Sequence, residues 1–192
     1  MNSVIRTLQV PALLAVTLLT SNVQAQDLGA YQVETIVFAQ PSAPLSGSRT
    51  PEYNWADDAV VLEDTARSDV RKLDVTQHRM DREADKLAAS GYQILMHQAW
   101  IQPADSNLTV ALHEGESLGE HYPVEAVVGL ERGQESMLLG VMAWRHTGVR
   151  SQDGLANTVV SEKLHQSRRL RLDEVHYLDH QSMGMLVRVT RR

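Results

Sequence analysis

Near its C-terminus the chain carries two histidines and an aspartate within five positions, His176, Asp179 and His180. Imidazole and carboxylate groups are good zinc ligands, so the spacing raises a metal-dependent hydrolase as one hypothesis. Histidines four residues apart converge on one ion only in a helix; in a strand they lie roughly 13 Å apart, at ~3.3 Å per residue. The flanking residues carry no helical signal, and no HExxH-like base accompanies the pair. We therefore interpret this segment as a structural hairpin or loop and keep the metal site as the alternative.

Other catalytic patterns are absent from the sequence. It contains no cysteine nucleophile, no serine in a GxSxG elbow and no glycine-rich loop that could cradle a phosphate. Pairs of carboxylates could be chosen freely from 24 acidic residues, so they point to no glycosidase in particular. We predict a protein that is not an enzyme, holds no metal and needs no cofactor.

Arginines supply the clearest binding chemistry. Three of them precede the histidine segment, and three more close to the C-terminus could line up with them across neighbouring strands. These are Arg168, Arg169, Arg171, Arg188, Arg191 and Arg192. Guanidinium groups suit the carboxylates of peptide stems or of an acidic protein. The alternative is a solvated edge whose charges discourage strand-to-strand aggregation.

The three tryptophans divide between core and surface in the predicted elements. Trp100 and Trp144 lie in alternating apolar runs, so we expect them in the core. Trp55 lies in an acidic, proline-punctuated loop and is the better surface candidate. The predicted ligand- or partner-binding residues are therefore Trp55, Arg168, Arg169, Arg171, His176, Tyr177, Asp179 and His180.

The N-terminus predicts export. Arg6 precedes an apolar run that is too short to span a bilayer, and a small-residue triplet ends at Ala25. We predict a signal peptide over residues 1–25, which leaves residues 26–192 as one domain in a compartment outside the inner membrane. Without cysteine, neither lipid attachment nor a disulfide is available. The formal net charge of −6 argues against a nucleic-acid binder, and a membrane-inserted mature protein is not expected.

Periodicity predicts an α+β domain: a single, predominantly antiparallel sheet of about six strands with one main helix packed on it. The helix is predicted over Thr76–Ser90, with Thr76 as its N-cap and Gly91 at its end. Residues 41–74 are predicted to form a long loop, of the kind that tends to be functional or mobile in compact domains. Near the C-terminus, an arginine-rich strand, the histidine turn and a last strand are expected to form a hairpin-like unit. The predicted strands are Tyr31–Gln40, Tyr92–Pro103, Leu108–Leu112, a meander from Val124 through His146, Thr158–Leu172 and Met185–Val189. For Thr158–Leu172 a helix is the alternative, because its apolar residues fit neither period cleanly.

Three blocks of the sequence together resemble the CsiV family of periplasmic proteins. They follow the order of the family and span most of the predicted mature chain. The blocks are YQVETIVF at 31–38, GYQILMHQAWIQP at 91–103, and SRRLR at 167–171 followed by EVHYLDH at 174–180 and GMLV at 184–187. The chain departs from the family at Gln181, where proline is usual.

The resemblance implies a Gram-negative periplasmic protein that binds peptidoglycan and promotes cell-wall assembly. It also implies two protein partners, an outer-membrane lipoprotein activator and the class A penicillin-binding protein that this activator stimulates. It carries no established ligand-contacting residues across to this chain. A domain that binds proteins but no glycan remains an alternative.

Overall fold

A computed structural model describes residues 29–41, 50–117, 119–133, 136–150 and 157–192. The described elements are mostly β-strands, with a single described α-helix among them. They are β1 (Ala30–Ala39), β2 (Val60–Val61), β3 (Arg71–Lys72), α1 (Asp81–Ala89), β4 (Gln93–Pro103), β5 (Asp105–Glu114), β6 (Val124–Arg132), β7 (Met137–Arg150), β8 (Asn157–Leu170), β9 (Val175–Asp179) and β10 (Met183–Arg191).

The described strands form two five-stranded sheets and the described helix is short, so the predictions of an α+β domain and of a single six-stranded sheet were both wrong. The first sheet has the order β3-β4-β1-β10-β9 and the second β2-β5-β6-β7-β8. All described pairings are antiparallel except that of β2 with β5. The chain passes between the sheets at Ala104, a single residue separating β4 from β5. Alternation reveals which face of a strand is buried but not which sheet buries it, which is why the sequence did not reveal the second layer.

The core lies between the two sheets. On β1, Tyr31, Val33 and Val37 face inward, and on β6 every second residue from Val124 to Leu130 does the same. Trp100 is fully buried in this cluster, as expected, and its indole nitrogen donates to the Gln102 side chain at 2.6 Å. Close packing of these apolar residues is the main source of stability in a chain without disulfides.

The outer faces of both sheets are covered by short segments rather than by a further layer. On the first sheet, Ile36 and Phe38 pack with Met80 and with residues of α1. On the second, Trp144 packs with Val127 and with the segment that carries Trp55. Trp144 is thus a buried residue, as expected, although it belongs to an outer cluster.

The predicted helix over Thr76–Ser90 is shorter than expected and begins later. Asp74, not Thr76, caps a 3-10 turn at Val75–Gln77, because its carboxylate accepts the Thr76 N–H at 2.9 Å. The backbone is extended again at His78, and α1 starts only at Asp81. Gly91 follows the helix with a φ of 86°, as a C-terminal glycine should.

The predicted C-terminal hairpin also needs correction. The strand predicted over Thr158–Leu172 exists as β8, but it belongs to the second sheet. The histidine segment is itself a strand, β9, and pairs with β10 in the first sheet. Gly184 in β10 permits two aromatic rings to pack against the strand: a Cβ there would lie 2.5 Å from the Phe38 ring and 2.8 Å from the Tyr177 ring.

One predicted segment and part of another lie outside the described residues. These are the signal peptide at residues 1–25 and residues 42–49 of the long loop. The remainder of that loop contains the short strands β2 and β3. Within the described part of the chain, no helix has the length and apolar character needed to cross a membrane.

Candidate functional site

At one end of the sandwich the two sheets part and leave a cleft of about 710 Å³. We call it the arginine cleft, because four guanidinium-bearing residues line it. Among its described lining residues, none is acidic. The lining comprises Tyr31, Arg132, Gly133, Ser136, Met137, Arg169, Leu170, Arg171, Leu172 and Arg191.

Strand alternation brings two of these arginines to the cleft. Arg132 continues the inward-facing series of β6 one step beyond Leu130, and Arg191 does so on β10 beyond Val189. At these last positions the core ends and solvent begins, so a long side chain can cover apolar surface while its head remains hydrated. The cleft therefore has an apolar floor and a cationic rim.

Tyr31 links the two sheets at the back of the cleft. Its hydroxyl accepts from Arg132 Nη2 at 2.7 Å and from Arg191 Nη2 at 3.4 Å. Burial raises the pKa of Tyr31, but the hydrogen bonds and positive charges of Arg191 and Arg132 outweigh it and leave the pKa below its usual value of 10.0. The guanidinium of Arg191 also lies 5.9 Å from the centre of the tyrosine ring. The arginine heads are thus held in place before any ligand arrives.

Arg169 and Arg171 complete the rim from the end of β8. Both are exposed, and the side chain of Arg171 retains 84% of its accessible surface. Arg171 lies 3.7 Å from Glu174, a distance at which an exposed ion pair contributes little. Guanidinium groups at the rim of an apolar cleft can hold a carboxylate through paired hydrogen bonds while the floor receives its aliphatic part.

Arg168, the third predicted arginine of β8, does not enter the cleft. Its Nη1 donates to the carbonyl oxygen of Tyr177 at 2.7 Å, and Gln166 donates to the carbonyl of Asp179 at 2.6 Å. These bonds join the edge strands β8 and β9 of the two sheets into what we call the seam. The seam satisfies carbonyls of an edge strand that would otherwise be open to another chain.

The predicted cluster of His176, Asp179 and His180 is not gathered at one point. Nε2 of His176 lies 3.2 Å from the Arg171 backbone nitrogen and 3.1 Å from its carbonyl oxygen. Asp179 accepts from the Tyr177 hydroxyl at 2.6 Å and from Gln40 at 3.2 Å, whereas Nδ1 of His180 is 3.4 Å from Ser182. Burial, together with Asp179, raises the pKa of Tyr177. These contacts hold the β9–β10 turn, and the three side chains are not among the groups of potential metal ligands that the described residues bring together.

Trp55 lies on the outer face of the second sheet, far along the chain from the arginines. Its ring meets the Trp144 ring edge-on at 6.1 Å, and the side chain is half-buried. Lys163 covers the same Trp144 ring at 4.9 Å and pairs with Glu52 at 2.9 Å. Much of the Trp55 ring therefore serves packing rather than an open platform.

Several residues of interest escaped the sequence analysis. Tyr31 and Arg132 belong to the cleft but lie about 100 residues apart in the chain, so only the fold brings them together. The sequence signal that could have identified Arg132 and Arg191 is their place in the inward-facing alternation of their strands. Two groups of histidine and glutamate also come together among the described residues, Glu34 with His78 and His97, and Glu125 with His121 and His146.

Comparison with known proteins identifies the family. The family model described as "Peptidoglycan-binding protein, CsiV" matches residues 8–192, which is nearly the whole chain. No curated protein and no solved structure matches this chain. The family match agrees with the three sequence blocks, two of which contribute residues to the cleft: Tyr31 in the first, and Arg169 and Arg171 in the third. The chain therefore belongs to the CsiV family of peptidoglycan-binding proteins.

Proposed function

We propose that the protein binds peptidoglycan through the arginine cleft and that the ligand is the anionic peptide stem. The observation that carries this proposal is the convergence of Arg132, Arg169, Arg171 and Arg191 around an apolar floor without an acidic residue among the described lining. Charge of one sign, concentrated in a concave site, favours a ligand of the opposite sign. Peptide stems bear carboxylates, whereas the N-acetylated sugars are uncharged wherever a stem occupies the lactyl carboxyl group of the muramic acid.

The stem also matches the shape of the cleft. A stem offers carboxylates separated by aliphatic carbon, and the cleft offers guanidinium groups at its rim with Met137, Leu170 and Leu172 beneath them. Guanidinium groups form two parallel hydrogen bonds to one carboxylate, which fixes orientation as well as charge. The bonds to Tyr31 restrict Arg132 and Arg191 beforehand, so less conformational entropy is lost on binding.

We propose binding without conversion of the ligand. The described lining of the cleft contains no imidazole, carboxylate or thiol that could act as a general base or nucleophile near a bound stem. The alternative hydrolase would use His176, Asp179 and His180, whose side chains are engaged in separate contacts. Sustained release of fragments from sacculi, lost on changing His176 or His180 to Ala, would contradict this proposal.

We further propose that the protein works in the Gram-negative periplasm after loss of residues 1–25. There it would promote cell-wall assembly with an outer-membrane lipoprotein activator and a class A penicillin-binding protein. Membership of the CsiV family and the pattern of the N-terminus support this proposal. Val175 and Tyr177, exposed to 40% and 43% on the edge strand β9, offer apolar area for a protein contact. Co-sedimentation of the purified partners with the wild type and with Val175→Asp would test this contact. If both proteins bind the partners equally, β9 does not take part in it.

Sedimentation with purified sacculi tests whether the protein binds peptidoglycan through the arginine cleft. The wild type should pellet with sacculi at modest salt, and Arg169→Glu should pellet less. Arg168→Glu is the matched control, because Arg168 is adjacent in sequence, carries the same charge and points to the seam. Wild-type protein left in the supernatant would favour a domain that binds only proteins. Equal losses for the two variants would indicate a diffuse charge effect instead of a site.

A further inference from the structure

Glu34, His78 and His97 meet on the outer face of the first sheet, beside the start of α1. Each offers one ligand atom, and these atoms lie within 4.8 Å of one another. Glu34 lies on β1 and His97 on β4, whereas His78 reaches over the sheet from the segment before the helix. Their side chains retain only 2%, 16% and 5% of their accessible surface, for Glu34, His97 and His78 respectively. Three separate elements thus deliver potential metal ligands to one half-enclosed point.

The carboxylate of Glu34 is held rigidly. Its two oxygens accept the backbone N–H groups of Met80 at 2.8 Å and of Arg79 at 2.7 Å. Nε2 of His97 lies 2.8 Å from Oε1 of the same carboxylate. Two backbone N–H groups and one imidazole thus hold the carboxylate in a single orientation. A fixed carboxylate beside an imidazole nitrogen is a common part of a transition-metal site.

His78 is suited to be the second imidazole ligand. Its ring centre lies 4.3 Å from that of His97. Its side chain retains only 5% of its accessible surface, so the ring is confined beside that of His97. Two imidazoles this close would repel each other if both were protonated, whereas a shared cation is compatible with both.

Asp81 completes the arrangement from the first position of α1. Its Oδ1 lies 3.9 Å from Nδ1 of both His78 and His97. For His97 this is the ring nitrogen that does not face Glu34. Metal-binding histidines usually donate their other ring N–H to a carboxylate or carbonyl, which fixes the tautomer and the ring orientation. The Asp81 side chain is 65% exposed, so it can also move the short distance that a hydrogen bond requires.

The second group of this kind lacks that support. Glu125 accepts from His121 at 3.2 Å and from His146 at 2.9 Å, and all three side chains are almost fully buried. Within the described residues, Nε2 of His121 and Nδ1 of His146 have no hydrogen-bond partner. Metal binding through the nitrogens that face Glu125 would leave two buried N–H groups without acceptors, which is costly. This group therefore acts as a hydrogen-bond network.

We propose that Glu34, His78 and His97 form a binding site for a divalent transition-metal ion, with zinc as the expected occupant, and that Asp81 orients the histidines. Two imidazoles and a carboxylate match the preference of zinc and leave a fourth position for water. An ion here would tie β1 and β4 to the segment before α1. The site lies outside the arginine cleft, so the proposal does not depend on the mode of peptidoglycan binding.

Calorimetric titration of chelator-treated, untagged mature protein with Zn²⁺ tests the proposal. We expect saturable binding of one ion per chain and a rise in melting temperature with zinc. His78→Ala and His97→Ala should abolish both. Asp81→Asn, at an exposed position that should not affect folding, should weaken binding by about tenfold or more, the usual cost of removing such a supporting group.

Two matched controls separate a built site from adventitious histidine binding. His165→Ala on β8 and His180→Ala beside β9 each remove a histidine that belongs to neither group, and both should bind zinc like the wild type. If His97→Ala fails to fold, His78→Ala and Asp81→Asn, together with the visible spectrum of bound Co²⁺, decide the outcome. Absence of saturable wild-type binding, wild-type affinity in His78→Ala and Asp81→Asn, or loss of binding in His165→Ala would each overturn the proposal.

Discussion

The arginine cleft and the seam draw on adjacent residues of one strand for different purposes. Arg168 shares the inward phase of β8 with Leu164 and Leu170, and at that edge it meets β9, whose carbonyl at Tyr177 it caps. Arg169 has the opposite phase and lies at the rim of the cleft. The difference shows that a run of arginines is not one feature. Strand phase and the position of the neighbouring edge decide whether a guanidinium group stabilises the fold or remains available to a ligand.

The same comparison explains why only one region is suited to binding. In the seam, Gln166 and Arg168 donate to backbone carbonyls, so part of their hydrogen-bonding capacity is already used. In the cleft, Arg169 and Arg171 are exposed, and the charged residues of the described lining are all arginines. Charge-reversing variants of the cleft should therefore affect ligand binding, whereas variants of the seam should affect stability.

The largest expected effect comes from reversing the charge of the exposed half of the rim. Arg169→Glu combined with Arg171→Glu should weaken sacculus binding by at least about tenfold, because each arginine lost removes hydrogen bonds to a charged group, of about 1.5–3 kcal/mol each before solvent screening, and adds repulsion. Binding isotherms from co-sedimentation would measure this. Melting temperatures should stay near that of the wild type, because both side chains are exposed. Wild-type affinity in the double variant would show that the cleft does not bind sacculi.

Removing the seam should have the converse effect. Gln166→Ala combined with Arg168→Ala deletes two bonds to β9, each of about 0.5–1.5 kcal/mol, so we expect a loss of about 2 kcal/mol in the free energy of unfolding. For a chain of this length the melting temperature should fall by about 4–8 °C. Calorimetry measures the loss, and sedimentation with sacculi should be unchanged. If the seam variant lost as much sacculus binding as the cleft variant, the claim that only the cleft binds the ligand would be contradicted.

A smaller effect should appear in the pH dependence of binding. The Tyr31 pKa lies below 10.0, so its hydroxyl ionises within the cleft as the pH rises towards that value. The folded protein then gains a negative charge next to Arg132 and Arg191, and affinity for an anion should fall. Tyr31→Phe cannot ionise there, so its sacculus binding should decline less between about pH 8 and about pH 10, the ordinary pKa of tyrosine. Parallel pH profiles for the two proteins would exclude Tyr31 ionisation as a cause.

Much of the secondary structure could be predicted from the sequence, because it depends on local patterns. Alternation located most of the long strands, and Gly91 correctly marked the end of the helix. The start of the helix was missed because the Glu34 carboxylate, 45 residues away, binds the N–H groups that precede it. The second sheet was missed because β4 and β5 are separated only by Ala104, a spacing that would also suit a hairpin within one sheet.

The candidate site was predictable only in part. Arg169 and Arg171 were identified by residue type, and their position at an opening between the sheets followed only from the fold. Arg132 and Tyr31 carried no local signal beyond their inward phase, because their partnership spans 101 residues. His176, Asp179 and His180 attracted attention through composition, yet each makes its own contact at the turn. Residue type suggests chemistry, but convergence is a property of the tertiary structure.

The most direct test of the central claim is to compare intact sacculi with sacculi whose stem carboxylates have been coupled to a neutral amine, a change that removes the negative charge and keeps the polymer cross-linked. We predict that the wild type sediments with intact sacculi and remains in the supernatant with the coupled ones. A soluble stem peptide should compete for the intact material. Equal sedimentation with both polymers, or no competition by the stem, would contradict recognition of stem carboxylates by the arginine cleft.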